Sequence, residues 1–419
     1  MLVNNAATCG IAGLATLGVI ARPWNLPEYI WAVTGAISLI AFDLLPWRDA
    51  VTAAGKGTDV YFFLIGMMLL AEVARKEGLF DWLAEQAVIH SRNSASQLFS
   101  IVYAVGTLVT IFLSNDATAV VLTPAVYAAT RTAKVEPLPY LFACAFIANA
   151  ASFVLPISNP ANLVLFGARM PTLLEWLHHF LLPSIAAAAA TFIMLRISLR
   201  NSLLGGVDEL EGERAGPTRN AAIVAAGIGA TALVLLAVSA FGLDLGIPTF
   251  ACGAVVTAIV LLLGRKSPLS VARDISWSVL PLVAGLFILV EGLNRTGVLP
   301  TLAEELRRAA VLSPHGASWG AGIITAMASN LINNLPMGLI AATTTQTAQV
   351  SHYTIGAVLI GVDLGPNLSV TGSLATILWL IALRREGEHV GALRFLRLGV
   401  LVMPPALALS LLALSLVAS

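Results

Sequence analysis

Apolar residues run in blocks along the whole chain, and the polar positions that break them recur in a fixed order. Uninterrupted blocks cover 5–20, 30–45, 59–75, 181–199, 221–240, 248–263, 276–292 and 396–417. Each is close to the ~20 residues that one helix needs to cross the hydrocarbon core. Four further apolar segments are interrupted. Residues 96–131 are broken by Ser114-Asn115-Asp116, and 139–167 by Leu155-Pro156-Ile157-Ser158-Asn159-Pro160-Ala161-Asn162. Residues 318–349 are broken by Asn330 to Pro336, and 354–381 by Asp363-Leu364-Gly365-Pro366-Asn367. Backbone without helical hydrogen bonds is tolerated at membrane depth only where protein or a watery cavity satisfies it. The four breaks therefore predict a site.

The interruptions also predict two repeats. Glu72 to Glu85 aligns without gaps on Glu291 to Glu304, sharing Gly78 with Gly297 and Leu83-Ala84-Glu85 with Leu302-Ala303-Glu304. Further along, Asn115-Asp116 is set opposite Asn333-Asn334, and Asn159-Pro160 opposite Gly365-Pro366. Paired interruptions at matching places in two halves mark the binding site of many secondary transporters. The expected fold is an all-α polytopic membrane protein with a first repeat at 1–199, a cytoplasmic linker at 200–220 and a second repeat at 221–419. It has about ten crossing helices, re-entrant hairpins at 96–131 and 318–349, and broken helices at 139–167 and 354–381. Residues 78–91 and 297–310 carry apolar positions at helical spacing beside charged faces and are expected to lie along the membrane surface.

Composition agrees with this reading. Of 419 residues 58% are hydrophobic and 11% charged, with a mean hydropathy of +0.87. Soluble domains carry about 25% charged residues. With both termini periplasmic, 17 of the 23 Lys and Arg residues face the cytoplasm, among them Arg75, Lys76, Arg131, Arg214, Lys266 and Arg384. That is the direction of the positive-inside rule, and it sets the two halves in opposite orientations. Net charge is zero, which gives no footing for nucleic acid. Cys9, Cys144 and Cys252 are far apart, without a C-x-x-C pair. No nucleotide loop, nucleophile–base set or metal-ligand cluster is present, so neither enzyme chemistry nor a cofactor is expected. His178-His179 reads as a surface pair rather than a metal site.

The polar breaks hold the candidate chemistry. An Asp at membrane depth costs at least ~2.5–3.5 kcal/mol and ordinarily faces a cavity with a task to perform. Asp116 and Asp363 are accordingly the candidates for proton coupling, although Asp116 would also serve as an ordinary helix cap. Hydroxyl, amide and open backbone groups at the breaks suit a polar solute. The candidate contacts are Ser114, Asn115, Thr118, Ser158, Asn159, Asn162, Asn333, Asn334, Gly365, Asn367, Thr371 and Ser373. The first tip is read as carrying a carboxylate, Asp116, where the second has the amide of Asn334.

The strings Phe112-Leu-Ser114-Asn115-Asp116-Ala-Thr118 and Asn333-Asn334-Leu-Pro336 resemble the arsenite efflux permease family of the ion transporter superfamily. The stretch from Gly361-Val-Asp363-Leu-Gly365-Pro366 to Trp379 is the most specific part of the likeness, which runs over nearly the whole chain. The resemblance implies a transporter of the bacterial inner membrane that exports arsenite and antimonite in exchange for protons by alternating access. In some members a cytoplasmic ATPase subunit docks on it. Trivalent arsenic in neutral water is mainly an uncharged trihydroxide, which the amides and hydroxyls of the breaks suit without sulfur. A sodium/proton antiporter and a sodium-coupled carboxylate carrier of the same superfamily remain as alternatives.

Overall fold

The computed structural model describes residues 2–167, 170–207 and 216–418; residues 208–215 of the 200–220 linker, Arg214 among them, lie outside them. The described residues form helices and no strands, apart from an isolated bridge between Ser94 and Gly206. The first part of the chain runs through α1 (Leu2–Ala21), α2 (Glu28–Ala41), α3 (Trp47–Gly55), α4 (Thr58–Lys76) and α5 (Leu79–Ile89). The first hairpin follows. Its outward arm is α6 (Ala95–Leu113), and its return arm is α7 (Asn115–Ala117), a π-turn (Thr118–Leu122) and α8 (Thr123–Thr132). Then come α9 (Leu138–Ala150), α10 (Pro160–Phe166) and α11 (Leu173–Ser198).

The second part repeats this order. It comprises α12 (Arg219–Ala240), α13 (Gly246–Leu263), α14 (Pro268–Asp274), α15 (Val279–Arg295) and α16 (Val298–Leu312). The second hairpin is α17 (Pro314–Ile332) and α18 (Asn334–Ala348), followed by α19 (His352–Leu364), α20 (Leu374–Arg385) and α21 (Ala392–Ala418). The amphipathic stretches at 78–91 and 297–310 form α5 and α16. The short helices α3 and α14 have no counterpart in the sequence-based expectation. Each bends into the next helix, by 48° at α3–α4 and by 45° at α14–α15.

By length and composition, α1, α6, α11, α12, α13 and α21 are able to cross a membrane, and the two bent pairs raise the number to eight. The count of about ten rests on different elements. It includes α2, with 14 residues, and the pairs α9/α10 and α19/α20, whose members are too short to cross singly. His178, His179 and Pro183 all fall inside α11.

Packing follows the matched order. α4 packs on α13 and α15 on α2, while α11 lies along α21. The first of these contacts depends on glycine: a Cβ on Gly253 would come within 2.5 Å of the Gly66 carbonyl oxygen. Small residues let membrane helices approach this closely. α6 packs on α9, α17 on α19, α10 on α18, and α20 on the π-turn. Each hairpin therefore touches a broken helix of its own half and of the other. Helix ends are fixed locally, for example by the Thr172–Glu175 capping box and the Ser313, Ser351 and Ser373 N-caps.

Candidate functional site

At both hairpin tips a residue other than glycine holds a positive φ. Ser114 has φ 103° and ψ 160°, and Asn333 has φ 72° and ψ 153°. Each stands immediately before the return arm, so Ser114 matches Asn333, Asn115 matches Asn334 and Asp116 matches Leu335. The offset is the one that carries Glu72 onto Glu291. This corrects the sequence alignment by one residue: the carboxylate of the first tip faces a leucine position in the second, not Asn334. Backbone in sparsely populated regions costs about 1–3 kcal/mol per residue and clusters at binding and switch sites.

Asn115 and Asn334 are each 2% exposed, and the side-chain oxygen of each has no hydrogen-bond partner. The second tip is fastened to the break after α19. Asn334 N donates to Gly372 O at 2.8 Å, and Asn333 Nδ2 to Thr371 O at 3.3 Å. Thr371 Oγ1 donates to Asn330 O at 3.1 Å. At the first tip, Thr118 and Thr110 share a hydroxyl contact of 2.8 Å that binds the two arms together. Asp116 is half-buried, and among the described residues its side chain makes no hydrogen bond or ion pair.

Asp116 and Ser114 line a crevice of about 90 Å³ with Met67, Met68, Val120 and Leu378. Glu72 and Asp274 stand in its lining too, and the lining contains no Lys, Arg or His. Behind it Arg75 bridges Glu72 at 2.6 Å, and Lys76 reaches Asp274 at 2.8 Å. A larger cavity of about 610 Å³ opens beside Lys56, Asp59, Asp244 and Glu291. There Lys56 pairs with Glu291 at 2.9 Å. The two openings share only part of the repeat: Ser114, Asp116 and Ala117 of the crevice correspond to Asn333, Leu335 and Pro336, which line a separate small opening with Leu282 and Leu286. The offset from Glu72 to Glu291 also carries Met68, Ala71 and Val120 of the crevice onto Phe287, Val290 and Leu339 of the cavity.

The two broken helices cross in a closed polar network. Asp363 Oδ1 accepts from Asn159 Nδ2 at 2.9 Å, and Asp363 Oδ2 lies 2.8 Å from Ser152 Oγ. Asn149 Nδ2 donates to Asn367 Oδ1 at 3.0 Å and to Thr376 Oγ1 at 3.3 Å. Asn149, Ser152, Asp363 and Asn367 have no exposed surface. Asn159 and Ser373 are the N-caps of α10 and α20, accepting from Ala161 N and Thr376 N. The structure therefore sets Asn159 opposite Ser373 and Pro160 opposite Leu374, in place of the Gly365-Pro366 alignment.

Several candidate contacts are committed to this framework. Asn162 Nδ2 lies within 2.9–3.3 Å of three carbonyl oxygens of the first break, those of Ser152, Leu155 and Pro156. Ser158 Oγ donates to Ile111 O at 3.0 Å, and Asn367 Nδ2 to Phe146 O at 3.0 Å. A Cβ on Gly365 would sit 2.4 Å from the Ala326 oxygen, so this glycine lets α17 approach. Asn149, Ser152 and Thr376 were not singled out in the sequence. The signal that would have found them is the place of Asn149, next to last in its half-helix like Asp363.

Among the described residues no three His, Cys, Asp or Glu side chains converge to hold a metal ion. The cysteines are unpaired, and Cys144 alone is buried.

Residues 14–362 match the family model described as CitMHS, citrate transporter. An arsenical pump membrane protein of Yersinia enterocolitica is 31% identical over 365 residues, covering 84% of this chain and 85% of that protein. One of Escherichia coli is 28% identical over 400 residues, covering 92% and 93%. Among solved structures, the Alcanivorax borkumensis YdaH transporter aligns with a TM-score of 0.57 at 15% identity, over 88% of this chain and 86% of that one. That last likeness speaks for the fold alone, an all-helical one of many apolar helices. Matched over most of its length by the citrate-transporter family model and by these relatives, the chain belongs to the arsenical efflux permease family of membrane transporters.

Proposed function

We propose that this chain exports trivalent arsenic and antimony, as the neutral trihydroxides, in exchange for protons across the bacterial inner membrane. The carrying observation is Asp116, an unpartnered carboxylate at a hairpin tip, lining a crevice whose walls contain carboxylates and no basic side chain. Glu72 and Asp274 are paired with Arg75 and Lys76, so the wall offers no free cation to hold an anion and suits an uncharged solute with hydroxyl groups to donate. The unpartnered oxygens of Asn115 and Asn334 would accept those hydroxyls. Ser114 and Asn333, at the tips, and Thr118, Ser158, Asn159, Asn162, Gly365, Asn367, Thr371 and Ser373 complete or support the site. Asp116 takes the proton on one side and releases it on the other, and Asp363 is the second proton-coupling carboxyl.

In this reading 1–199 and 221–419 are inverted repeats joined by the linker at 200–220, and both termini are periplasmic. Openings beside the matched carboxylates Glu72 and Glu291 support alternating access. The wide cavity beside Glu291 is the periplasmic opening, and the narrow crevice beside Glu72 is its closed cytoplasmic counterpart. The reverse arrangement gives the other state.

Two neighbouring functions compete. Citrate, named in the description of the matching family, is a multiply charged anion, and the crevice lining has no basic side chain to hold it. A sodium/proton antiporter would need only the carboxylates. Everted vesicles loaded with this protein separate the three. The proposal expects arsenite uptake driven by an imposed pH gradient without sodium or ATP, and no competition from citrate. A requirement for sodium, or competition by citrate at concentrations comparable to arsenite, would overturn it. A requirement for ATP would show that an ATPase partner supplies the energy.

A further inference from the structure

Ser152 Oγ stands 2.7 Å from Asn149 O and 2.8 Å from Asp363 Oδ2. A serine hydroxyl carries one proton. It satisfies one of these oxygens, not both. With Asp363 ionised, one contact would be oxygen against oxygen with no hydrogen between, among residues that have no exposed surface. Leaving a buried polar contact unmade is costly. One additional proton resolves the arrangement. Asp363 Oδ2–H donates to Ser152 Oγ, Ser152 Oγ–H donates to Asn149 O, and Asn159 Nδ2–H donates to Asp363 Oδ1 at 2.9 Å. Every contact then has one donor and one acceptor.

We propose that Asp363, Ser152 and the Asn149 carbonyl form a one-proton relay joining the two broken helices, and that the relay is loaded in this state. Asn149 O lies where α9 ends and accepts from Ser152 N at 3.3 Å as well as from the Ser152 hydroxyl, which is the shorter of its two caps. When the proton leaves Asp363, the Ser152 hydroxyl turns to the carboxylate and α9 keeps only the longer cap from Ser152 N. Protonation is thereby linked to the junction between the first break and the second. Ser152 and Asn149 act through Asp363 and are positioning residues.

No other charge competes for this proton by contact. The titratable or charged side chains on the elements packed against α9 and α19 are Tyr103 on α6, Asp116 on α7, Tyr127 and Arg131 on α8, Tyr140 and Cys144 on α9, Glu175, His178, His179 and Arg196 on α11, His315 on α17, His352 and Tyr353 on α19, Arg384 and Arg385 on α20, and Arg394 and Arg397 on α21. None of them bonds or pairs with Asp363 among the described residues. The hydrogen count is independent of what the protein carries; only its consequence for transport rests on the proton-exchange reading above.

Infrared spectroscopy of the full chain in lipid tests the relay directly. The expected result is a neutral-carboxyl carbonyl band near neutral pH. It should vanish in Asp363→Asn, shift in Ser152→Ala because the acid loses its acceptor, and persist in Asp116→Asn. Asparagine at 363 can reproduce the pattern, its Nδ2 donating to Ser152, so this variant should keep its melting temperature. Absence of any band that depends on Asp363, or a band indifferent to Ser152→Ala, would overturn the relay. If Asp363→Asn does not fold, the Ser152→Ala shift still decides. Failure of arsenite transport with the band present would count against the proposed substrate and leave the relay standing.

Discussion

Asn149 and Asp363 occupy the same place, next to last in the half-helices α9 and α19, and each bonds across to the break of the other half. Asn149 reaches Asn367 and Thr376, while Asp363 meets Ser152 and Asn159. The exchange is reciprocal, an amide on one side and a carboxyl on the other. It makes the two interruptions one body, although Asn159 and Asp363 are 204 positions apart.

The junction should therefore be costly to cut from either side. Asn149→Ala strands Asn367 Oδ1, and Asn159→Ala strands Asp363 Oδ1. Each should cost about 1–3 kcal/mol, the penalty for an unsatisfied buried polar group. Thermal unfolding in detergent reads the loss, and a melting temperature within error of the parent in both variants would contradict the assignment.

The hairpin tips make the opposite prediction. Ser114 and Asn333 hold positive φ without the freedom of glycine. Replacing either by glycine should stabilise the fold by up to about 1 kcal/mol by removing that strain. Loss of Asn333 Nδ2 and its bond to Thr371 opposes the gain in one variant, so Ser114→Gly should raise the melting temperature more than Asn333→Gly.

The contact between α4 and α13 should not tolerate added bulk. Gly253→Val would drive a branched side chain into the Gly66 carbonyl and force the helices apart. A loss of about 1–3 kcal/mol is expected for overpacking of this kind. Val255→Leu, at an exposed position on the same helix, is the control and should leave unfolding unchanged.

A modest pH effect is expected at the surface. Glu304 accepts hydrogen bonds from Arg307 and Arg308, which hold its carboxyl below the usual range. A carboxyl depressed in the folded state contributes stability above its unfolded range and loses it as pH falls through its folded value. The small melting difference between the parent and Glu304→Gln should be fully present near neutral pH and vanish in acid. High salt should reduce it throughout.

The hairpins and broken helices were legible because polar strings inside apolar blocks are conspicuous, and their bounds agree with the helices to within a few residues. The register of the tips was not. Asn115-Asp116 and Asn333-Asn334 look alike as letters, whereas the backbone at Ser114 and Asn333 fixes the true correspondence. Asn149 and Ser152 escaped notice because single small polar residues in an apolar run are ordinary in membrane helices. Their importance comes from the crossing partner. Gly365 was read as part of the site, but its lack of a Cβ serves the approach of α17. The short helices α3 and α14 carry too few apolar positions to stand out.

The central claim is that Asp116 couples proton movement to export of a neutral metalloid hydroxide. Its most direct test is arsenite uptake into everted vesicles under an imposed pH gradient, comparing the parent with Asp116→Asn. The account predicts that the variant folds, still equilibrates arsenite down its own gradient, and fails to accumulate it against one. Full gradient-driven accumulation by Asp116→Asn would contradict it.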